Sequence, residues 1–315
     1  MNQFTSIYDV DNVPALVQSA LDLKASPFAH KNLGQDKTMI LLFFNPSLRT
    51  RLSTERAGFN LGMNVINMNA KQGWALEFED GAVMNMDRAE HVKEAAAVIS
   101  QYADVIGIRT FPSLTDREKD YQDAILNSFI RYAKVPVISL ESAIRHPLQS
   151  LTDLITIEEL KKTARPKVVL SWAPHPKALP QAVSNSFIEW MQAADVDLQV
   201  THPRGYELAP EFIKDTTVIY DQAEAFAEAD FIYTKNWSAF KPYGKIIPQE
   251  NDWMISADKM ALTNQAHFMH CLPVRRNVIV EDAVIDSAES AVIQQAGNRT
   301  YAAQAVLKTI LETNF

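Results

Sequence analysis

The residues Ser47-Leu48-Arg49-Thr50-Arg51 pack two guanidinium groups and two hydroxyls into five positions. They follow the apolar run Met39-Ile40-Leu41-Leu42-Phe43-Phe44, which reads as a buried parallel strand. Thr50 to Gly62 reads as a helix, with Leu52, Ala57, Phe59 and Leu61 among polar positions and Gly62 as its stop. A strand, a short hydroxyl-rich turn and a helix start together present free backbone N–H groups to an anion. Guanidinium groups add charge-assisted bonds to the same oxygens. A helix cap beside a solvated arginine would account for either arginine alone, but poorly for both next to two hydroxyls. The chemistry expected here is phosphate binding.

Four further clusters stand just after an expected strand or at an expected helix start. Arg109-Thr110-Phe111 ends a strand, where an arginine serves either a surface ion pair or a ligand. His146-Pro147-Leu148-Gln149, with Asp153 one helical turn beyond, offers an imidazole and an amide that can hydrogen-bond a neutral carbonyl or amide. A histidine before proline is otherwise a cap or a packed residue. His270-Cys271-Leu272-Pro273-Val274-Arg275-Arg276-Asn277 supplies a thiol, a Leu-Pro turn and paired guanidinium groups. Cys271 is either a small buried hydrophobe or a thiol polarised by its His and Arg neighbours. Asn298-Arg299, expected at the start of the last helix, is another anion donor.

The elements that must position these clusters alternate between strand and helix. In the first half strands are expected near Met39–Phe44, Asn64–Met68, Val105–Arg109 and Val135–Leu140, with helices near Ala89–Tyr102 and Asp120–Tyr132. In the second half strands are expected near Lys167–Trp172, Asp197–Thr201, Thr217–Tyr220, Phe231–Tyr233 and Phe268–His270. Helices near Leu179–Ala194, Asp221–Glu228 and Ser256–Ala261 separate them. Ser150–Lys162 is helical in pattern and would bridge two domains. The helix Arg299–Glu312 carries Ala303, Val306, Leu307 and Ile310 on one face and would pack back on the first domain. The fold class expected is α/β: two open parallel-sheet domains with the active site in the cleft at the strand carboxyl ends. Residues 1–147 with 299–315 would form one domain and 148–298 the other.

Composition narrows the function classes. A chain of 315 residues can bury two cores, and 47% apolar with 22% charged residues is globular. A net charge of −8 argues against binding nucleic acid or an anionic membrane surface. No segment approaches the run of about eighteen apolar residues that spans a membrane. One cysteine rules out an internal disulfide framework and a Cys-rich zinc cluster. Met1–Thr5 has neither the basic nor the apolar region of a signal peptide, so the expected location is the cytoplasm. With nine glycines and no G-x-G-x-x-G, a nucleotide-binding dehydrogenase is disfavoured. A noncatalytic binding protein on the same scaffold would typically have lost Arg49, His146 or the Cys271-Leu272-Pro273 turn, and all are present.

Taken together the clusters resemble the aspartate/ornithine carbamoyltransferase family over essentially the whole chain. Ser47–Arg51 resembles its carbamoyl-phosphate signature, His146–Gln149 its H-P-x-Q motif, and His270–Pro273 the H-C-L-P motif of the ornithine branch. The resemblance implies that Ser47, Leu48, Arg49 and Thr50 hold the phosphate, with Arg109, His146, Gln149 and Arg299 around it and the carbamoyl group. It implies homotrimers with shared sites, no cofactor and no metal. Trp74, in Gly73-Trp74-Ala75-Leu76-Glu77, resembles the residue that the acylornithine branch donates to a neighbouring subunit's carbamoyl-phosphate site; otherwise it is a core or surface aromatic. The implied reaction is attack of a neutral δ-amine on carbamoyl phosphate. Arg109, His146 and the Thr50 hydroxyl would stabilise the carbonyl oxygen, and the Cys271 and Leu272 carbonyls would aim the amine. A role in arginine biosynthesis and a chain knot in the second domain are likewise implied by resemblance alone.

The amine is suggested by a departure from the common pattern. Ornithine enzymes carry D-x-W-x-S-M-G, whose aspartate pairs with the substrate's α-ammonium. This chain reads Thr234-Lys235-Asn236-Trp237-Ser238-Ala239-Phe240. Lys235 would repel an α-ammonium and attract carboxylates, which fits an N-acylated ornithine. Glu141 and His175 resemble acylornithine-binding residues of that branch. In the acetyl branch an acidic residue stands before E-H and a lysine follows R-R-N-V; here Ala89 and Ile279 occupy those places. Both departures favour a succinyl group, whose carboxylate Lys177 or Arg275 could meet. N-acetylornithine and then plain ornithine or aspartate remain the competing substrates.

Overall fold

The apolar runs become the strands of two separate parallel sheets. The computed structural model describes residues 1–70, 74–249 and 252–315. The chain divides into one unit of Met1–Ser113, Glu118–Leu148 and Arg299–Phe315, and a second of Leu114–Arg117 and Gln149–Asn298. The first contains β1 (Gln3–Phe4), β2 (Thr38–Phe43), β3 (Asn64–Asn69), β4 (Leu76–Glu77), β5 (Glu90–His91), β6 (Val105–Arg109) and β7 (Val137–Glu141). Its five-stranded sheet has the order β1-β7-β6-β2-β3, while β4 and β5 form a small parallel pair of their own. The second contains β8 (Lys167–Ala173), β9 (Asp197–Thr201), β10 (Thr217–Ile219), β11 (Phe231–Asn236) and β12 (His267–Met269) in the order β10-β9-β8-β11-β12. Every pairing in both sheets is parallel, so the central strands are buried on both faces and near-continuously apolar.

The helices up to the second unit are α1 (Val13–Ala25), α2 (Arg49–Asn60), α3 (Val92–Ile99), α4 (Arg117–Tyr121), α5 (Ala124–Tyr132) and α6 (Pro147–Leu160). They continue with α7 (Ala182–Gln192), α8 (Pro210–Ile213), α9 (Gln222–Phe226), α10 (Ala257–Met260), α11 (Asp282–Ile285) and α12 (Val292–Asn314). No helix among the described residues is long and apolar enough to cross a membrane. In the first unit's core Ile40, Leu42, Ile106 and Ile108 of the sheet pack with Phe129 of α5 and Val92 of α3. In the second, Val169, Ile232 and Phe268 pack with Phe226, Ile255 and Ile279.

Several elements differ from the sequence expectation, each for a local reason. The buried face of α2 is Thr50, Ser53, Thr54, Ala57, Gly58 and Asn60, whereas Leu52 and Phe59 are exposed. Gly58 lies so close to the sheet that an added Cβ would stand 2.7 Å from Val65 Cγ2 and 2.9 Å from Met39 Cε. Asn60 is buried because its Nδ2 donates to Gln304 Oε1 of α12 at 2.9 Å. The helix expected from Ala89 starts at Val92, because Glu90 and His91 form β5 and the His91 ring accepts from Lys93 N–H. β11 runs three residues beyond Tyr233, and α12 begins seven residues before Arg299. The sequence reading had no counterpart for α1, although Asn12 caps it and Pro14 lies in its first turn.

The helix expected over Asp120–Tyr132 is broken between α4 and α5 by Asp123, which sits at φ +48°. Its carboxylate accepts from Ala143 N–H at 3.2 Å, and burial is the main reason its pKa is raised, against that bond and one from Ser142. A raised folded pKa means that the group's contribution is fully present below its unfolded value, about pH 4, and lost as pH rises through the folded value. Asparagine keeps the acceptor and tolerates the left-handed backbone without the charge. Asp123→Asn should therefore melt above the parent at pH 8, with the gain shrinking toward pH 4. Equal melting temperatures at both pH values would contradict a buried charge at this turn.

Candidate active site

In the first unit the candidate residues cluster at the turn between β2 and α2. Leu48 stands at the N-cap with φ −85° and ψ −63° and has no side-chain oxygen to cap the first-turn amides. Ser47 and Arg49 are half-buried, Thr50 is buried and Leu48 is exposed, so amides, a hydroxyl and a guanidinium group share one short turn. Arg51 is drawn to the frame: its Nη2 donates to Asn69 Oδ1 at 2.6 Å and its guanidinium lies 4.5 Å from the Phe43 ring centre.

Two buried arginines hold the turn from elsewhere in the chain. Arg109, the last residue of β6, donates from Nη1 to Asn45 O (3.2 Å) and Pro46 O (2.8 Å), and its Nη2 lies 2.8 Å from Glu141 Oε2. Glu141 was expected among the acylornithine residues; it lies in the first unit and neutralises Arg109. His146 Nε2 is 3.7 Å from the same Glu141 oxygen, beyond hydrogen-bond range. Arg299 lies within α12, not at its start, and its Nη2 donates to Thr50 Oγ1 at 2.7 Å.

A loop of the same unit carries Trp74 and Ala89. The Trp74 indole N–H donates to Glu90 Oε2 at 2.8 Å, and its half-buried ring packs on the first unit's core. Ala89 is exposed and its N–H donates to Ala75 O at 2.8 Å, so the loop's two ends are stitched together beside the β4–β5 pair. Gly73 of the Trp74 motif lies outside the described residues. Glu90, which holds Trp74, was missed although it adjoins Ala89 in sequence.

The second unit gathers cations. Lys235 lies within β11, paired with Trp172 of β8 and buried, rather than after the strand as expected. Its Nζ is 3.7 Å from Cys271 Sγ, the half-buried thiol. Arg275 Nε donates to His175 Nε2 at 3.2 Å, so the imidazole carries its proton on Nδ1 and donates to Lys177 O at 2.7 Å. Burial first, and then repulsion from Arg275, Lys235 and Lys177, lower the pKa of His175 against that carbonyl bond. The result is a neutral imidazole among three cations, surroundings that favour an anion. Arg276, the other arginine of the pair, is committed to Asp286 by two bonds of 2.6 Å and to Asp282 by one of 2.8 Å.

The His270–Pro273 turn follows β12. His270 Nδ1 accepts from Leu272 N–H at 2.9 Å, and Leu272 is held at φ +54°. Gln149 lies in the second unit, where its Nε2 donates to Asp153 Oδ1 at 2.7 Å. Tyr233, missed because it reads as an ordinary strand residue, is wholly buried; burial, then Asp153 and Cys271, push its phenol well above the usual range. Ile279 is wholly buried in the second unit's core, so it offers no surface to a ligand and the succinyl argument rests on Ala89.

The two units correspond to two family descriptions. Residues 2–159 match the aspartate/ornithine carbamoyltransferase carbamoyl-P binding domain, and residues 180–310 match the Asp/Orn binding domain. The chain belongs to the aspartate/ornithine carbamoyltransferase family. Among members of this carbamoyltransferase family, the N-succinylornithine carbamoyltransferase of Bacteroides thetaiotaomicron is 53% identical over 99% of both chains. The N-acetylornithine carbamoyltransferase of Xylella fastidiosa (strain Temecula1) is 38% identical over 93% of this chain and 94% of its own. A solved N-acetyl-L-ornithine transcarbamylase mutant with glutamate replaced by alanine, complexed with carbamyl phosphate and N-succinyl-L-norvaline, superposes with a TM-score of 0.92. It is 35% identical and covers 98% of this chain and 100% of its own. The Ser47–Arg51 turn falls in the carbamoyl-P match of this carbamoyltransferase, and Lys235, Cys271 and Arg275 fall in the Asp/Orn match.

The cation cluster makes a spectroscopic prediction. An anion that settles among Arg275, Lys235 and Lys177 offsets the repulsion that depresses His175, so succinate should raise the His175 pKa in an NMR titration of the ring protons. The direction follows because a negative neighbour favours the imidazolium. No upward movement would remove His175 from the anion's surroundings.

Proposed function

We propose that this carbamoyltransferase moves the carbamoyl group of carbamoyl phosphate to the δ-amine of N-succinyl-L-ornithine, giving N-succinyl-L-citrulline and phosphate in arginine biosynthesis. The observation that carries the reading is Lys235, a buried cation on β11 beside the Cys271 turn, in the unit that also holds Arg275 and His175. Free ornithine would bring its α-ammonium toward these cations, whereas acylation removes that charge and leaves carboxylates. Ala89 extends the reading from acyl to succinyl. It stands where the acetyl branch is read to carry an acid, and the solved relative seen with N-succinyl-L-norvaline has a glutamate replaced by alanine.

In this reading the amine's lone pair attacks the carbamoyl carbon, a C–N bond forms, the C–O bond to phosphate breaks, and one amine proton leaves with the phosphate. The first-turn amides of α2, the Ser47 and Thr50 hydroxyls and Arg49 take the phosphate oxygens. Arg299 orients Thr50 through its 2.7 Å bond, and Arg109 holds the turn's carbonyls away from the anion. His146 and Gln149 serve the carbamoyl group, and the Cys271 and Leu272 carbonyls aim the amine. We further propose a cytoplasmic homotrimer in which Trp74 serves a neighbouring copy. Support comes from exposed apolar side chains on the first unit: Val83 at 81%, Met86 at 86% and Leu48 at 67% exposure.

Product formation with N-succinyl-, N-acetyl- and free ornithine in parallel tests the substrate. The succinyl compound should lead in kcat/KM by at least about tenfold, the factor that 1.4 kcal/mol of differential binding supplies. Ala89→Glu should lower succinylornithine kcat/KM by about tenfold or more by placing an acid near the succinyl carboxylate. Acetyl preference in the parent would discard the Ala89 argument and keep Lys235; activity on free ornithine alone would discard both.

A further inference from the structure

Asp153, wholly buried on α6, accepts on one oxygen from two amides: Gln149 Nε2 and Gln295 Nε2, both at 2.7 Å. The same oxygen receives both amide nitrogens, so both amides turn their NH2 ends toward it. That leaves the oxygen of each amide facing elsewhere. Gln295 Oε1 accepts from the backbone N–H of His270 at 3.0 Å, a donor-only group that fixes the same orientation independently. His270 in turn fixes Leu272 through the 2.9 Å bond to its N–H, and Leu272 occupies the left-handed region that side chains with a Cβ disfavour. A backbone held in that region needs its surroundings to over-determine it.

We propose that Gln295 is a positioning residue for carbamoyl transfer. Through one buried amide it ties the His270-Cys271-Leu272-Pro273 turn to the carboxylate that orients Gln149. The inference rests on the function proposed above, in which Gln149 meets the carbamoyl group and the turn meets the amine. Asp153 then sets both at once: it presents the Gln149 oxygen as an acceptor for the carbamoyl N–H, and through Gln295 it places the carbonyls that receive the amine. Gln295 lies outside the last helix expected from Arg299, whereas α12 starts at Val292 and includes it.

Gln295→Glu is the discriminating variant because it changes one atom and little volume. It sets a second buried carboxylate against Asp153, and like charges so placed bind one shared proton. Once protonated, Glu at this position can donate to Asp153 while its other oxygen accepts from His270 N–H, which restores the network. The other titratable groups around it are Tyr233 and Lys235 of β11, His270 and Cys271 after β12, and Glu159 of α6, which takes Gln294 and Asn298.

Activity of the variants is measured with whichever ornithine the parent uses best, so a wrong substrate assignment is seen in the parent and does not obscure the role of Gln295. Relative to the parent, Gln295→Glu should lose about tenfold or more in kcat at pH 8 and recover most of it toward pH 6, with KM for carbamoyl phosphate moving less than about threefold. Gln295→Leu should lose activity without acid recovery. The single cysteine gives a readout independent of turnover: Cys271 alkylation by iodoacetamide should change at least about threefold in folded Gln295→Leu, since reactivity follows thiol surroundings. A Gln295→Glu profile parallel to the parent's at all pH values, or an unchanged Cys271 alkylation rate in Gln295→Leu, would overturn the proposal.

Discussion

Burying a guanidinium group is tolerable only when its N–H groups find acceptors and its charge finds a counterion, and the first unit buries two such groups around one turn. Arg109 takes the carbonyls of Asn45 and Pro46 together with the Glu141 carboxylate, and Arg299 takes the Thr50 hydroxyl. This sorts the turn's polar groups. Two acceptors are drawn toward Arg109, while the donors at the start of α2 lie at an N-cap whose residue, Leu48, has no oxygen to receive them. A turn with its carbonyls committed and its amides open is suited to an anion, and Arg49 adds a charge at the same place. In the proposed function, phosphate binding at this turn depends on residues far along the chain that hold the turn itself.

The second unit solves the opposite problem. Burial, and then Arg275, Lys235 and Lys177 as repulsive neighbours, disfavour a charge on His175, surroundings that favour a carboxylate ligand. The imidazole stays neutral, so that it accepts from Arg275 and donates to the Lys177 carbonyl. Arg276 is kept out of the cluster by Asp282 and Asp286. Adjacent arginines therefore differ: Arg276 fixes the turn after the His270–Pro273 segment through Asp282 and Asp286, while Arg275 donates to His175.

What could be read from the sequence follows the range of the physics involved. The strand Val105–Arg109 was legible to the residue, because a strand buried in a parallel sheet shows as an apolar run bounded by polar residues, and Asp197–Thr201 was legible from the alternation of Leu198 and Val200 with polar neighbours. The β2–α2 turn was legible as a candidate anion site because its hydroxyls and guanidinium groups lie in five neighbouring residues. The end of β11 was not, since Thr234, Lys235 and Asn236 are polar and nevertheless buried. The buried face of α2 was misread for a related reason: close approach to the sheet selects Gly58 and Ala57, and long-range hydrogen bonding selects Asn60, none of which a count of apolar residues detects. Pairings such as Thr50 with Arg299 and His175 with Arg275 join residues 249 and 100 apart, a separation that local periodicity does not encode.

In the proposed function, two tasks of substrate choice fall to two different kinds of structure. Excluding an α-ammonium is assigned to a lysine whose backbone is locked in β11 against β8 and whose buried charge lies beside Cys271. Selection by the sign of a charge needs no close fit, so one buried cation on a rigid strand suffices. Choosing between acyl groups is assigned to the loop of Trp74 and Ala89, an element outside the five-stranded sheet whose ends are tied by Glu90 and the Ala89–Ala75 bond. An exposed loop residue can change without disturbing a core, whereas Lys235 cannot be replaced without leaving the Cys271 turn a changed neighbour. In that proposal an exchange at Ala89 alters the acyl preference and leaves the core intact, whereas an exchange at Lys235 alters a buried strand position and the turn beside it.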